Sequence, residues 1–488
     1  MNKLILTPIC ILITFALANA QQNPDWNTVF SKINQEVQSH SKAYSTLKEA
    51  TETIGHRLTG SENGKKAEEY AYNLLKSYGY RVRYQPFEVE SWSRGTLEVQ
   101  VGTNDDLHPV KSVALAHSPV KVNLKGELID MGNGVEEDYL ARPNAVSGNV
   151  ALVYLGVLPG SSPKTKNLHR SEKTALATKY GSTGIIVINS VPGSVLLTGT
   201  ASVTGKLIPI PAVCIGYEDG LKYKELLKTE KLFTQIEMSN FSGMINARNV
   251  IATLKGQEIP QEKIVVGGHL DSWDLATGAV DNGIGSFSVL DMARTFSTLN
   301  LKPKRSIEFV MFMGEEEGLL GSKAYVNQAI KNGSLKQIRY MLNYDMSNDP
   351  KGYSSSTAKT KALFQSIGSI ASKIDTAFKN VFFSGAGLHS DHQPFMLQGI
   401  PTGGATGGNL PNNSGRCYHA DCDSFDLVDE QGMKNTVRFN SMLIYGLADA
   451  QQIAAKRLTD TQIRDFLLKN NLKEPLKIAG EWRWKETE

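Results

Sequence analysis

Apolar runs in the second half of the chain are followed, one after another, by acidic or imidazole side chains. The run "KIVVGG" is followed by His269, "SIEFVMFMG" by Glu315–Glu317, and "YMLNY" by Asp345. Helix-like stretches such as "GSFSVLDMARTFSTL" separate these runs, and strands that alternate with helices form a mostly parallel sheet. The carboxyl ends of such strands meet at one edge, where ligands bind. The pattern therefore predicts an α/β fold, with a mixed, mostly parallel central sheet flanked by helices and an acidic site at that edge.

Two more residues extend this set, Asp281 in "GAVDNGIG" and His419 in "RCYHADCDSFD". Carboxylates are costly to bury unless they are paired or bind a metal, and histidine with carboxylate suits a divalent ion of the zinc type. Five ligands exceed the need of one catalytic zinc, and they fit two metals that share a carboxylate. Taken singly, Asp281 could be the first residue of a helix. Glu315–Glu317 could be the acidic N-terminus of another helix, which the helix dipole stabilises. Their recurrence after successive strands favours a metal centre.

The middle of the chain has a different character. Short β-type runs such as "GELIDMG", "GNVALVYLG" and "GIIVINS" follow one another there, with one clear helical stretch, "SEKTALATKYGSTG". This predicts an inserted, mostly β domain over residues 96–243, here called the inserted region. It would divide one larger domain into residues 21–95 and 244–451, followed by a charged, helical C-terminal extension over residues 452–488. A chain of 488 residues is too long for one core, which agrees with this division.

The first residues, "MNKLILTPICILITFALANA", predict a secretory signal peptide. Lys3 gives a positive start, an apolar core follows, and Ala18-Asn19-Ala20 forms an A-x-A cleavage site. A membrane anchor is the alternative, although the apolar run is short for a span. We therefore expect residues 1–20 to be removed after Ala20. The product would be secreted or periplasmic, without stable membrane insertion.

Charge and cysteine content narrow the function further. Lys plus Arg is 52 and Asp plus Glu is 49, and no basic block occurs, which argues against a nucleic-acid partner. Three cysteines remain beyond the signal segment, too few for a disulfide scaffold. Cys214 is typical of a core thiol. Cys417 and Cys422 flank His419, and they either form a small bridged loop or stay unpaired.

The acidic and histidine motifs resemble those of the M28 family of zinc exopeptidases. "GGHLDS", "GAVDNGIG", "GEEEGLLGS", "NYDMSND" and "YHADCDSFD" occur in the order of that family. "KYGSTGIIVINS" and "IPIPAVCIG" resemble a protease-associated domain, and "ESWSRG" with "LDSWD" resembles the carboxypeptidase Q branch. The sequence departs from that branch around "SDHQPF" and "YHADCD". The resemblance implies the zinc exopeptidase fold, a hydrolase with a water nucleophile, and two Zn²⁺ per chain.

The resemblance also implies a metal role for each of five residues. His269 and Asp345 would hold one zinc, Glu316 and His419 would hold the other, and Asp281 would bridge the two. The peptide bond between Asp281 and the next residue, Asn282, would be strained and cis.

Further roles follow from the same resemblance. Asp271 would hydrogen-bond His269 and fix its ring. Glu315 would be the general base, because the family order is base, ligand, any residue and then Gly, and Gly318 sets this register. Four further residues would bind the substrate or support the site: Asn282, Asp391, His392 and Tyr418. A structural role for His392 fits the sequence equally well.

Several functions are compatible with these residues. The first is an aminopeptidase that removes the N-terminal residue of a peptide. The alternative is a dipeptidase or carboxypeptidase of the Q type, which needs a cation for the free carboxylate; Arg416 and Lys323 are candidates by sequence neighbourhood. A non-catalytic, receptor-like protein is disfavoured because all five ligands and the base are retained. The Q branch also implies a homodimer.

Overall fold

The computed structural model describes residues 25–485, so the predicted signal peptide lies outside the described residues. The helices are α1 (Trp26–His40), α2 (Ala43–Thr53), α3 (Glu62–Ser77), α4 (Glu136–Ala141), α5 (Arg170–Lys179), α6 (Tyr217–Leu226), α7 (Ile284–Thr298), α8 (Leu320–Lys331), α9 (Lys361–Ile374), α10 (His392–Leu397), α11 (Glu430–Asp449), α12 (Asp460–Lys469) and α13 (Lys473–Ile478). The strands are β1 (Arg81–Thr103), β2 (Asp106–Pro109), β3 (Ser112–Ala114), β4 (Lys121–Asp130), β5 (Val150–Tyr154), β6 (Gly184–Ile188), β7 (Ala212–Ile215), β8 (Phe233–Leu254), β9 (Ile259–His269), β10 (Arg305–Phe312), β11 (Ile338–Asn343), β12 (Gly352–Ser355), β13 (Val381–Ser384) and β14 (Thr402–Thr406).

One half of the sheet carries the predicted site, and with the helices on its faces it is here called the catalytic half. Its strands run in the order β13-β12-β14-β11-β9-β10-β8, and β9 pairs in parallel with both β10 and β11. β11 is also parallel to β14, whereas β8 is antiparallel to β10. The predicted mixed, mostly parallel α/β sheet is therefore confirmed.

Helices cover both faces of this half, which explains why β10, in its middle, is buried along its whole length. In β9, Ile264 and Val266 face a core shared with α1, α2, α7, α9 and α11. Val265, between them, faces a second core shared with α8 and α10. Because side chains alternate along a strand, one apolar run serves both cores.

A long ribbon leads into the inserted region. β1 and β8 pair in antiparallel fashion from Arg81↔Thr253 to Gly102↔Phe233, so residues 96 and 243, the predicted limits, lie inside continuous strands. Beyond the ribbon, β4 to β7 pair in parallel in chain order.

The inserted region holds α5 as predicted, and also α4 and α6, which the sequence analysis does not predict. Within α6, Gly220 obscures the helical pattern. A Cβ at Gly220 would lie 2.3 Å from the Ile188 side chain of β6, so the close packing of α6 on β6 requires glycine at this position.

The C-terminal extension packs back onto the catalytic half. Ile463, Leu467 and Leu476 share a small apolar cluster with Met396 and Leu397 of α10. Among the helices of residues 25–485, none has the length and apolar character that a membrane span needs.

Candidate metal centre

The five predicted metal ligands lie together at the carboxyl edge of the sheet. His269 ends β9, and Glu316 and Asp345 follow β10 and β11. Asp281 lies in an irregular turn, Ala279–Gly283, just before α7. His419 comes from a loop beyond β14, where Cys417 and Cys422 form a disulfide. That bridge decides between the two alternatives left open by the sequence. Cys214 is a buried free thiol, as predicted.

Asp281 lies between the two histidines and divides the donors into two groups. Its Oδ1 is 3.3 Å from His269 Nε2, and its Oδ2 is 3.0 Å from His419 Nε2. Asp345 Oδ1 adds a donor 3.4 Å from His269 Nε2, and Glu316 Oε2 adds one 3.0 Å from His419 Nε2. Two ligands of one tetrahedral zinc, each at roughly 2.0–2.2 Å, lie about 3.3 Å apart. The spacing in both groups therefore suits a zinc-type ion.

The burial and the charge of the proposed ligands also fit a metal site. His269, Asp281, Glu316 and His419 are each at most 5% exposed. Burial alone would raise the pKa of Asp281, but hydrogen bonds and charge from the two histidines lower it overall. Burial raises the pKa of Glu316, whose Oε1 has no hydrogen-bond partner among the described residues. Buried carboxylates in this number need cations, so the donor set fits divalent ions of the zinc type.

The side chain of Asn282 holds the backbone around Asp281 in place. The Asp281–Asn282 peptide is cis, as the resemblance implies. Asn282 ties the turn to β11: its Nδ2 donates to Tyr344 O at 2.9 Å, and its Oδ1 accepts from Met346 N at 2.8 Å. Asn282 thus supports the site through backbone contacts.

Two supporting residues have no role in the sequence analysis. The Asp423 carboxylate accepts from the backbone N–H groups of Val280 at 2.7 Å and Asp281 at 2.9 Å. The buried Arg57 guanidinium donates to Thr277 O at 2.7 Å and to Gly278 O at 2.8 Å. Asp423 lies within the "YHADCDSFD" motif, so the sequence did contain a signal that could have identified it. Arg57 lies in the loop-like stretch "IGHRLTG", which resembles the N-terminal segment of the family but gives no sign of a role for Arg57.

Asp271 contacts His269 in a different way from the predicted one. The ring Nδ1 lies 3.1 Å from the backbone O of Asp271 and 3.7 Å from its Oδ1. The carboxylate accepts instead from the backbone N–H groups of Glu315 at 3.4 Å and Glu316 at 3.3 Å. Asp271 therefore joins the histidine to the acidic loop, and the nearer contact to the ring is its carbonyl oxygen.

The remaining candidates lie beside the ligands. Asp391 is fully buried, and burial raises its pKa to about 7. His392 is partly buried, with Nε2 3.1 Å from Gly387 O. Tyr418 stacks on the ring of His419 with centroids 3.8 Å apart.

Two hollows meet at the metal ligands. The larger cleft, of about 530 Å³, is lined by Asn343, Ser354, Phe383 and Gly404 among others. The smaller cavity, of about 80 Å³, is lined by Arg170 and Glu172 of the inserted region and by Lys323 and Glu481. Five residues line both hollows: Glu315, Glu316, His389, Tyr418 and His419.

The two cations proposed from the sequence for a substrate carboxylate are placed differently. Lys323 Nζ pairs with Glu481 Oε1 of the C-terminal extension at 2.7 Å. Arg416 is exposed and lines neither of these two hollows. A cation that does reach the site is Arg170, whose Nη2 lies 2.8 Å from His419 Nδ1. Arg170 precedes "SEKTALATKYG" at the start of α5, and no motif marks it.

Comparisons with known proteins identify two domains and several relatives. Peptidase family M28 matches residues 249–444 and the PA domain matches residues 124–223. Leucine aminopeptidase 2 of Trichophyton rubrum is 28% identical over 361 residues, which cover 72% of this chain and 68% of that protein. Carboxypeptidase Q of Bos taurus is 24% identical over 425 residues, 85% of this chain and 87% of that protein.

Solved structures share the fold. A peptidase M28 precursor from Shewanella amazonensis SB2B superposes with a TM-score of 0.75 at 22% identity, covering 89% of this chain and 99% of that chain. An aminopeptidase from Aneurinibacillus sp. strain AM-1 has a TM-score of 0.67 at 24% identity, with 88% and 98% covered. The chain is therefore built on a peptidase family M28 domain with an inserted PA domain.

Proposed function

We propose that this protein is a secreted, di-zinc exopeptidase that removes residues from the N-terminus of peptides. The observation that carries the proposal is the position of Asp281, whose two carboxylate oxygens each face a different histidine. One carboxylate placed in this way is what a shared ligand between two ions requires. The M28 domain and the names of the relatives support hydrolysis of peptide bonds.

The five ligands would hold two ions in the manner that the resemblance implies. His269 and Asp345 would hold one zinc, Glu316 and His419 would hold the other, and Asp281 would be shared. When bound, such ions make a water molecule acidic and polarise the carbonyl of the scissile bond.

Glu315 supplies the proton chemistry. Burial raises the pKa of the Glu315 carboxyl well above its usual range; the charge of His269 opposes the rise, and Asp345 adds to it. Two bound cations would oppose this rise, so that the Glu315 carboxylate can accept a proton near neutral pH. Glu315 takes a proton from the attacking water at a carboxylate oxygen and passes it to the nitrogen of the leaving amine. Since Glu315 lines both hollows, it reaches the place where the two sides of a scissile bond meet.

The charge of the larger cleft favours an aminopeptidase. Its lining includes four carboxylates, and no Lys or Arg among the described residues. Because Asp281, Glu316 and Asp345 are the proposed zinc ligands, bound ions would offset their charge; what remains is a lining without a side-chain cation to receive the carboxylate of a substrate. The terminal amine of the substrate would therefore lie on this side of the ligands.

A carboxypeptidase or dipeptidase of the Q type is the second candidate. The observation in its favour is the pair of cations in the smaller cavity, Arg170 and Lys323, which could meet a substrate carboxylate. The likeness to carboxypeptidase Q over 85% of this chain also supports it.

One substrate panel separates these functions. We expect hydrolysis of leucyl-nitroanilide, little hydrolysis of the same compound with an acetylated amine, loss of activity with chelator, and its return with Zn²⁺. Equal hydrolysis of the blocked compound, or activity on unblocked dipeptides alone, would contradict the aminopeptidase. Activity that survives complete metal removal would contradict the metallopeptidase itself.

Secretion is tested separately. We propose that residues 1–20 are removed after Ala20, which predicts a mature chain beginning at Gln21. N-terminal sequencing of protein from the culture fluid or periplasm checks this, and an intact Met1 there would contradict it. The homodimer implied by the Q branch stays a prediction that sedimentation of the mature chain can test.

A further inference from the structure

The inserted region makes two contacts with His419 and one with the next residue, Ala420. Thr198 N donates to His419 O at 2.9 Å, and Leu197 and Ala420 form an isolated antiparallel bridge. Arg170 Nη2, from the start of α5, donates to His419 Nδ1 at 2.8 Å. The ring that faces Glu316 and Asp281 is therefore positioned by a separate part of the chain.

The contact between Arg170 and His419 constrains where the ring proton lies. A guanidinium only donates hydrogen bonds and stays charged, so His419 Nδ1 must accept with its lone pair. A neutral imidazole carries one proton, which then lies on Nε2. To bind a metal through Nε2, the ring must move that proton to Nδ1, where it would face the donor of Arg170.

His269 has the opposite surroundings. Its Nδ1 faces two acceptors of Asp271, the backbone O at 3.1 Å and Oδ1 at 3.7 Å. These acceptors favour a proton on Nδ1 and leave Nε2 free to bind an ion, which is the usual support for a metal-binding histidine. The two histidines therefore differ in readiness to bind a metal.

Arg170 has an alternative acceptor within the same cavity. Its side chain is 3% exposed, and its guanidinium lies against Gly199, where an added Cβ would come within 1.9 Å of Nη2. Glu172, also in the smaller cavity and 2% exposed, has an Oε1 without a hydrogen-bond partner among the described residues. His389 Nε2 is 3.5 Å from this oxygen. A guanidinium released from His419 would find an anion there.

The geometry points to Arg170 as a positioning residue that weakens zinc binding at His419 and Glu316. Arg170 and the ion compete for the ring of His419, and Arg170 moves to Glu172 when the ion binds. This inference rests on the proposed function, because it requires two zinc sites. It makes occupancy of the second site depend on how the inserted region is docked.

Zinc titration of the metal-depleted full chain, in competition with a chelating indicator, tests the inference. In Arg170→Gln the amide oxygen can accept from Nδ1–H, so we expect second-site affinity to rise about 10- to 100-fold, the usual size of effects from such outer contacts. First-site affinity should not change. Arg170→Lys keeps a cation and a donor, and it should stay near the wild type.

A matched control lies in the same helix. Lys173 is buried, its Nζ donates to Tyr154 O at 2.5 Å and Gly156 O at 3.0 Å, and it lines neither hollow. Lys173→Met should leave both zinc affinities unchanged. Glu172→Gln removes the anion that receives Arg170, so it should weaken the second site, in the opposite direction to Arg170→Gln.

The outcomes separate the two proposals. Fewer than two zinc ions in the wild type would overturn the proposed function. Two ions in the wild type, with second-site affinity unchanged or lowered in Arg170→Gln, would overturn only the role of Arg170. If melting in chelator shows that Arg170→Gln is unfolded, Glu172→Gln decides: unchanged or tighter second-site binding there overturns the competition.

Discussion

The catalytic edge of the sheet buries mostly acids, whereas the inserted region buries more bases than acids. At the edge, Asp281, Glu316 and Asp391 lie inside the protein. In the inserted region the buried groups include the bases His117 and Lys173 and one acid, Glu172. Burial favours the neutral form in both places: it raises the pKa of Asp391 to about 7 and lowers the pKa of Lys173 to about 8. The cluster of carboxylates at the edge needs cations to balance it, and the inserted region has no such cluster among the described residues.

The largest expected effect comes from removing the base at the edge. Glu315→Gln keeps the shape of the side chain and loses proton transfer, so we expect kcat to fall about 10²- to 10⁴-fold. Zinc content should be retained, because Glu315 is not among the proposed ligands. Steady-state kinetics and metal analysis of the same preparation check both statements.

Glu317→Gln is the matched control for that variant. Glu317 is the third acid of the same triplet and is completely buried, and burial raises the pKa of its carboxyl well above its usual range. An amide therefore replaces a group whose burial favours the neutral form, and kcat should stay within a few-fold of the wild type. A large loss in Glu317→Gln with none in Glu315→Gln would reassign the base.

Metal removal should separate the two regions in a melting experiment. An ion that binds only the folded state at a thousand times its Kd stabilises that state by about 4 kcal/mol. We expect chelator to lower the melting transition of the catalytic half and to leave that of the inserted region in place. Calorimetry with and without chelator measures this, and a uniform shift of both transitions would contradict the contrast.

Acid should destabilise the inserted region through His117. Burial lowers the pKa of His117 to about 4 in the folded state, against about 6.5 in an unfolded chain. The unfolded state therefore takes up a proton first, and stability falls as pH drops from 6.5 to 4, by about 3 kcal/mol in total.

His117→Gln checks this, because the amide can still meet Thr200 Oγ1, which lies 2.9 Å from His117 Nδ1. The variant should lose less stability between pH 7 and pH 4.5 in urea unfolding of the inserted region. An equally steep loss in the variant would assign the acid sensitivity to other groups.

The smallest expected effect concerns the loop of His419. The disulfide between Cys417 and Cys422 closes a loop of only a few residues, which predicts about 2 kcal/mol of stabilisation. The double variant Cys417→Ser/Cys422→Ser should lower the melting temperature of the catalytic half slightly and release zinc from the second site sooner. Unchanged zinc retention would show that the contacts from the inserted region suffice to hold His419.

The ligands at the carboxyl edge of the sheet could be predicted from the sequence because the signals for them are local. Each of His269, Glu316 and Asp345 directly follows an apolar run, so the position of a ligand and the end of a strand are read from the same few residues. Parallel pairing then brings the strand ends together without further information.

Contacts between distant segments left no such signal. Arg170 reaches His419 across 249 residues of sequence, and its place depends on the bare backbone of Gly199. Lys323 is a candidate for binding a carboxylate by sequence neighbourhood, but nothing in the sequence indicates that it pairs with Glu481 of the C-terminal extension. Such pairings depend on how the inserted region and the extension dock, which composition and periodicity do not encode.

The function proposed for this protein depends on two zinc ions that share Asp281. Anomalous diffraction at the zinc absorption edge, from crystals of the protein grown with Zn²⁺, would locate both ions. We expect two peaks about 3.5–4 Å apart, one beside His269 and one beside His419, with the Asp281 carboxylate between them. A single peak, or two peaks that leave Asp281 uncoordinated, would rule out the shared ligand.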